Sequence, residues 1–457
     1  MGTLFETGET MSDSIGYDIV GIGFGPANLA LAVALHDSHS RMKHSFCEQK
    51  PAFSWHLGMQ MEGSSMQTPF LEDLATRYDP RSKFTFLNYL KMNGRLTDFA
   101  DLREFFPSRR EFNDYFQWAA KKLSHCVRYD TVVTSVVPVE SDAHTVDALE
   151  IGMVDTRTGQ RSSIRTRNAV LGLGYSPVVP KNASAVSNGR VFHSITTLPS
   201  LDGRFVSKEA PYSFLVAGGG QSAAEIVLHL LRTYRNARVT VVSRGFLFRS
   251  KDPNAFVSAF YTGGAADEFY DLDDDARRLL LSTLDESNYA AADADLLREL
   301  AKTVYADKVD GRKRLELHSF CELNEVEETH AKVTATCWSQ TEKREKIIEV
   351  DGLCLATGFD HAGLRHALTG VDEYLERDAD GEYRVNREYR LESKAAFRAG
   401  IYVQGYARNY HGCTEGTISD LPHRAHRIIE SIHHQRYERY ERFERANRQL
   451  AIGEVVA

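Results

Sequence analysis

The chain has 457 residues, 42% apolar and 26% charged, and its 55 Lys and Arg against 63 Asp and Glu leave a net charge of −8. That composition fits a globular protein of two or three domains and excludes disordered, collagenous and coiled-coil chains. The acidic balance excludes a general nucleic-acid binder, which needs a basic face. Six cysteines, Cys47, Cys126, Cys321, Cys337, Cys354 and Cys413, form no CxxC pair. This argues against a zinc site, and no metal is expected; it fits a reducing cytoplasm. The acidic start, with Glu6, Glu9 and Asp13, lacks the apolar core of a signal peptide. No apolar run is long enough for a transmembrane helix, so no membrane partner is expected.

Tyr17-Asp18-Ile19-Val20 predicts a short strand, residues 21–28 a glycine turn, and Leu29 to Leu35 a helix apolar nearly all round. Ser45 to Glu48 reads as the next strand, and residues 50–130 as loops and polar helices. The same pattern then recurs. Tyr212 to Ala217 predicts a strand, Gly218 to Ala223 a turn, Ala224 to Tyr234 a helix, and Ala237 to Val242 a strand. Residues 262–311, rich in Asp, Ala and Leu, read as helical, and 313–350 as β-rich. Gly400 to Gln404 predicts a strand, followed by a loop and a helix to about residue 431. The Arg, Glu and Tyr alternation near the end suggests a solvated helix and then a tail.

A glycine turn between strand and helix lets backbone N–H groups approach a pyrophosphate, helped by the helix dipole. In the first turn Gly21 and Gly23 fit the dinucleotide fingerprint, and Pro26 stands where its third glycine would be. Proline suits the first turn of a helix. Glu48, 27 residues after Gly21, can accept hydrogen bonds from ribose hydroxyls. The second turn carries Gly218, Gly220 and Ala223, and its second strand ends in Ser243-Arg244, with no carboxylate. An arginine there favours the 2′-phosphate of NADP. Two such sites imply a flavoenzyme, FAD on the first and NADPH on the second. A disulfide reductase would need a cysteine pair near the flavin, which the chain lacks. A monooxygenase needs no protein nucleophile.

The motifs continue through Trp55-His56, Gly58-Met59 and Met66-Gln67-Thr68 to Phe70-Leu71-Glu72-Asp73-Leu74-Ala75-Thr76. Asp79-Pro80-Arg81-Ser82, Phe84 to Leu90, and Phe106-Pro107-Ser108-Arg109-x-Glu111-Phe112 follow. Later come Gly218 to Glu225, Ser287-Asn288-Tyr289, Ala356-Thr357-Gly358-Phe359 and His411-Gly412. On these residues the chain resembles the class B N-hydroxylating flavoprotein monooxygenases, the lysine N6- and ornithine N5-monooxygenases of siderophore pathways.

The resemblance implies an α/β fold with two Rossmann-like dinucleotide-binding domains and a smaller helical substrate region. The FAD domain is expected at 14–208, completed by 350–435, and the NADPH domain at 209–260 and 312–349. The substrate region is expected at 261–311, with flexible tails at 1–13 and 441–457. Gly21, Gly23, Gly25, Pro26, Glu48, Gln49, Trp55, His56, Met66, Gln67 and Arg109 are expected cofactor contacts, the first turn and Glu48 on FAD, Met66 and Gln67 beside the isoalloxazine and the nicotinamide. Gly218, Gly220, Gln221, Ser222, Arg244, Tyr289, Thr357, Gly358 and His411 complete the cofactor set. Gln67 and Asn288 are the expected catalytic residues, and Glu72, Ser258, Asn288 and Thr414 the substrate residues. The implied reaction converts a primary amine, NADPH and O₂ to a hydroxylamine, NADP⁺ and water, through a C4a-hydroperoxyflavin. It needs the amine neutral, so activity should rise with pH. A small-molecule amine substrate, a homo-oligomer (dimer or tetramer) and a cytoplasmic location go with it.

Three motifs depart from the family pattern. Glu72 stands where siderophore enzymes carry a lysine for the substrate carboxylate. Ser258 replaces an Asn, and Cys413-Thr414-Glu415 replaces Leu-Ser-Asp. A carboxylate at position 72 attracts an ammonium. This points to a diamine such as putrescine or cadaverine, or to a substrate with a differently placed carboxylate. Ornithine or lysine remains the substrate if Glu72 lies outside the pocket. The rival readings are a Baeyer–Villiger or sulfur-oxidising monooxygenase and a non-enzymatic flavin-binding protein.

Overall fold

The computed structural model describes residues 15–141, 144–180, 189–252, 254–285 and 291–456, with side chains as far as residue 441. Strand β1 (Tyr17–Ile22) enters the first glycine turn, and α1 (Pro26–Asp37) leaves it with Pro26 at its first position. Asn28 to Leu35 are all buried, as a helix apolar all round must be. β2 (His44–Cys47) runs parallel to β1. Helices α2 (Phe86–Met92), α3 (Leu96–Leu102) and α4 (Arg109–Lys122) follow. The hydroxyls of Thr85 and Ser108 cap α2 and α4 by accepting from Asn88 N and Glu111 N. Phe86, Tyr89, Phe112, Tyr115 and Phe116 pack between these helices in a mix of tilted, stacked and edge-to-face contacts. β3 (Val127–Arg128), β4 (Thr131–Glu140), β5 (Val146–Asp155) and β6 (Arg161–Leu171) complete most of this sheet, and β7 (Ser176–Pro177) lies beyond it. The order is β3-β2-β1-β6-β5-β4, parallel around β1 and antiparallel from β6 to β4.

β8 (Val191–His193) and α5 (Thr197–Arg204) already belong to the second domain. β9 (Ser213–Ala217), α6 (Gln221–Thr233) and β10 (Arg238–Ser243) repeat the opening unit. α7 (Ala255–Ser258), α8 (Gly263–Tyr270), α9 (Asp274–Leu284) and α10 (Ala294–Val309) come next. β11 (Leu315–Ser319) is followed by the antiparallel set β12 (Cys321–Glu328), β13 (Val333–Ser339) and β14 (Arg344–Val350). β15 (Gly352–Leu355) closes a parallel sheet of order β11-β10-β9-β15-β8.

This topology corrects the domain limits. β8 and β15 pair in the second sheet, so that domain runs from about Val191 to Leu355 rather than starting at 209 and ending at 349. α10 is its crossover helix, packed on α6, so the separate helical region shrinks to α7–α9.

The chain returns to the first domain through β16 (Phe359–Asp360), antiparallel to β7. α11 (Ala362–Ala367), β17 (Gly400–Val403, parallel to β6), α12 (Arg408–His411) and α13 (Leu421–Val456) end it. α13 packs on α1. The expected tail at 441–457 is instead helical through Val456. At the foot of α13 the guanidinium of Arg424 lies 2.9 Å from Glu415 Oε1, and both side chains are 1% exposed. Glu415 Oε2 accepts from the amides of Gly405 and Ala407, and so fixes the loop after β17. Burial pushes the neighbouring Asp420 carboxyl up to about 6, although Arg424 pulls it down.

Candidate active site

At the first turn Gly23 has φ +82°, and a Cβ there would stand 2.4 Å from the carbonyl oxygen of Gly172 at the end of β6. A Cβ on Gly21 would stand 2.2 Å from the Phe46 ring. Only glycine allows these approaches. Gly25 is different: nothing lies within 4 Å of its Cβ position, and α1 begins there without a side-chain cap. The open cradle and the uncapped helix N-terminus fit a pyrophosphate. Glu48, at the tip of β2, accepts from Phe24 N at 2.7 Å and from Lys50 N at 3.0 Å. Its carboxylate is therefore fixed beside the turn, where a ribose would sit. Asn28 was not singled out by sequence. It donates to Gly23 O at 2.7 Å and accepts from Gln404 at 2.8 Å, tying the turn to the end of β17. Its signal is a lone amide in an otherwise apolar helix.

Gln49 is exposed. The ring of Trp55 stands edge-on to Phe116 and to His56, which adopts φ +49°. Met66 is buried and its amide donates to Pro107 O, so residues 64–70 run alongside 105–109. The Gln67 amide has no partner among the described residues, and the buried Thr68 hydroxyl has none either. Two unfilled polar groups on a pinned segment suit a ligand that brings its own donors and acceptors.

The second turn repeats the device. Gly218 has φ +144°, and its Cβ would stand 2.2 Å from Ala356 O at the end of β15. α6 starts at Gln221 without a side-chain cap, leaving its N-terminus and the adjacent Ser222 to a phosphate. Arg244 follows β10 directly, is exposed, and has no partner among the described residues. Its guanidinium is free for a 2′-phosphate. Arg244→Ala should raise KM for NADPH by about 10- to 100-fold and leave that for NADH nearly unchanged, as a lost charge-assisted contact of about 1–3 kcal/mol requires. Steady-state kinetics with both cofactors checks this; equal effects would remove the assignment.

Several expected contacts are already engaged within the protein. Arg109 is not open to a cofactor: its two terminal nitrogens donate to Glu225 at 2.6 and 2.7 Å, and one also reaches Met59 O. Glu225 in turn accepts from the Gln221 amide, and Gln221 Oε1 accepts from Asp293 N. These bonds link the first domain to the second glycine turn. The Thr357 hydroxyl donates to Val178 O, and Gly358, at φ +86°, accepts from Val178 N, so both residues clasp the crossing between domains. His411 is wholly buried, stacked on Tyr389 at 4.0 Å, with its pKa lowered by burial to about 4. It is a neutral packing residue. Thr414, expected at the substrate, is instead buried, and its hydroxyl donates to His411 O, so it does not face a substrate in this structure.

Ser258 is exposed on α7, and Asn288 and Tyr289 lie outside the described residues. Glu72 is only 13% exposed and accepts from Arg77 at 2.6 Å. It is therefore not the open carboxylate that its sequence position suggests. Burial raises its pKa, while Arg77 and Lys251 lower it. Lys251 is half-buried and forms no ion pair among the described residues; burial lowers its pKa, opposed by Asp293 and Glu72. Its backbone amide donates to Ala292 O, which places it beside the second turn.

The duplicated glycine turn, with an acid at the first and a free arginine at the second, fits a two-dinucleotide flavoenzyme, and the matches below make it an NADPH-dependent flavin monooxygenase using FAD and O₂. Residues 16–361 match the family of L-lysine 6-monooxygenase and L-ornithine 5-monooxygenase, and the chain belongs to that family. An L-ornithine N(5)-monooxygenase of Burkholderia cepacia is 34% identical over 87% of this chain and 90% of its own. The ornithine N-hydroxylase structure from Kutzneria sp. 744, with reduced FAD, NADP⁺ and L-ornithine, superposes with a TM-score of 0.87 at 33% identity, covering 92% of this chain and 99% of that one. The FAD-bound cadaverine monooxygenase of Erwinia amylovora gives 0.80 at 26% identity, covering 91% and 94%. The activity is N-hydroxylation of a terminal amine. No described helix is long and apolar enough to cross a membrane.

Proposed function

We propose that this enzyme N-hydroxylates the side-chain amine of an ornithine- or lysine-like amino acid, in siderophore or related secondary metabolism. The observation that carries this reading is the pair of opposite charges at Glu72 and Lys251, half-buried and within electrostatic reach of each other. A diamine offers only a second ammonium, which suits Glu72 alone. An amino acid offers an ammonium and a carboxylate together. Arg77 holds Glu72 through Oε1, which leaves Oε2 for the ammonium, and Lys251 meets the carboxylate.

When bound, NADPH supplies a hydride, and FAD accepts it and activates O₂. The chain's own part is binding and exclusion of water. Gly25 and the start of α1 hold one pyrophosphate, Glu48 the ribose, and Ser222 and Arg244 the second dinucleotide. Gln67 and Thr68 orient what lies between. His411 is no base for the amine, because its Nε2 is engaged with Arg387 O and it is buried.

The test is a panel of ornithine, lysine, putrescine and cadaverine, scored as hydroxylamine formed per NADPH consumed. The amino acids should lead. Lys251→Ala and Glu72→Lys should each lower kcat/KM for the preferred one by about 30- to 1000-fold, as removal of one partner of a partly desolvated pair does. Flavin reduction by NADPH should change far less. A diamine preference untouched by Lys251→Ala would overturn the reading.

A further inference from the structure

A cleft of about 430 Å³ opens between α13 and residues 386–398. No residue assigned to either dinucleotide lines it. Four cations do: Arg390, Lys394, Arg398 and Arg439. Of its three carboxylates, Glu392 is held by Arg384 at 2.9 Å and Glu438 by His434 at 3.2 Å, leaving Glu376 as the only one without an ion-pair partner among the described residues.

Three polar atoms here are buried with no hydrogen-bond partner among the described residues: Arg390 Nε, Arg439 Nη1 and Gln435 Oε1. The rest of each group is fixed. Arg390 donates through Nη2 to Ala399 O at 3.1 Å, and Gln435 donates through Nε2 to the Tyr402 hydroxyl at 2.7 Å. Arg439 forms no ion pair among the described residues; Arg167 acts against its charge, and Asp147 and Asp18 act in its favour without bonding to it. A guanidinium N–H left buried without an acceptor is costly, and so is an unpaired amide oxygen. Two N–H donors from separate guanidinium groups and one acceptor match a small oxyanion that carries its own hydroxyl. Hydrogen phosphate has that chemistry at neutral pH, and so does a hydroxycarboxylate.

The geometry points to an anion-binding site, formed by Arg390, Arg439 and Gln435, that takes hydrogen phosphate or a small hydroxycarboxylate and clamps α13 to residues 386–398. Lys394 and Arg398 stand at its mouth and draw the anion in. The site is independent of the amine substrate and of its identity.

The experiment uses enzyme loaded with FAD and NADP⁺, so that both dinucleotide phosphate positions are filled. Inorganic phosphate, malate and sulfate are titrated separately by calorimetry, with Tm followed in parallel. At least one of phosphate and malate should bind saturably and raise Tm, and the tighter of the two identifies the source. Arg439→Gln should weaken that binding at least tenfold, and Arg390→Lys should weaken it too, with NADPH oxidation unchanged. Sulfate, which has no hydroxyl, should bind more weakly. Absence of saturable binding by both phosphate and malate would overturn the site, as would binding that survives both substitutions. Sulfate binding as tight as phosphate would remove Gln435 from it.

Discussion

Arg424→Ala should destabilise the protein by about 3–5 kcal/mol, the range for a buried pair that loses one partner. The carboxylate of Glu415 would remain in the core with its counter-charge gone. Glu415 also anchors Gly405 and Ala407, next to Gln404, which bonds Asn28 behind the first glycine turn. FAD retention should therefore fall along with stability. The pH dependence has a definite sign. The folded pKa of Asp420 is raised to about 6, so its contribution is fully present below about 4 and is lost as pH rises through 6. Removing Arg424 takes away the cation that lowers it, and moves that loss to higher pH. The deficit should be larger at pH 8 than at pH 5. Denaturant melts at both pH values measure it, and a deficit under about 1 kcal/mol at pH 8 would contradict the assignment.

Gly23→Val should lose both flavin and fold. A β-branched residue at φ +82° is strained by about 1–3 kcal/mol. Its Cβ would also stand 2.4 Å from Gly172 O, forcing β1 and β6 apart. The sequence suggests that a side chain at Gly23 would fill the space of the pyrophosphate. The geometry aims it at the neighbouring strand instead, and gives the ligand-facing role to Gly25. Gly25→Ala should accordingly keep the wild-type melt while weakening FAD. Flavin absorbance per protein and a thermal melt on both variants separate the two roles. A Gly23→Val enzyme with full flavin and an unchanged melt would remove the explanation.

Both glycine turns, the helix at Leu29 and the strands around them were legible because they follow from local patterns: a short apolar run, glycines, then a longer apolar run. β8 and β15 were assigned to the wrong domain because each has only 3 or 4 residues, and the partners of a parallel strand are set by distant chain. The pairs Arg109–Glu225, Glu72–Arg77 and Arg424–Glu415 were not legible. Each arginine reads as an ordinary charged residue until the packing of domains and helices brings its carboxylate to it. The end of α13 was misread because its Arg-Glu alternation suits a solvated tail as well as a helix held by charges one turn apart.

The bonds running from Met59 through Arg109 and Glu225 to Gln221 and Asp293 bear on how the enzyme can move. Swinging the second domain away as a rigid body would strip Glu225, 5% exposed, of its guanidinium, at a cost of several kcal/mol. Local rearrangement of the exposed side chains of Arg244, Phe246 and Phe256 breaks none of these bonds. The expected path of the hydride-delivering dinucleotide is therefore past these exposed side chains, with the two sheets held as one stiff frame.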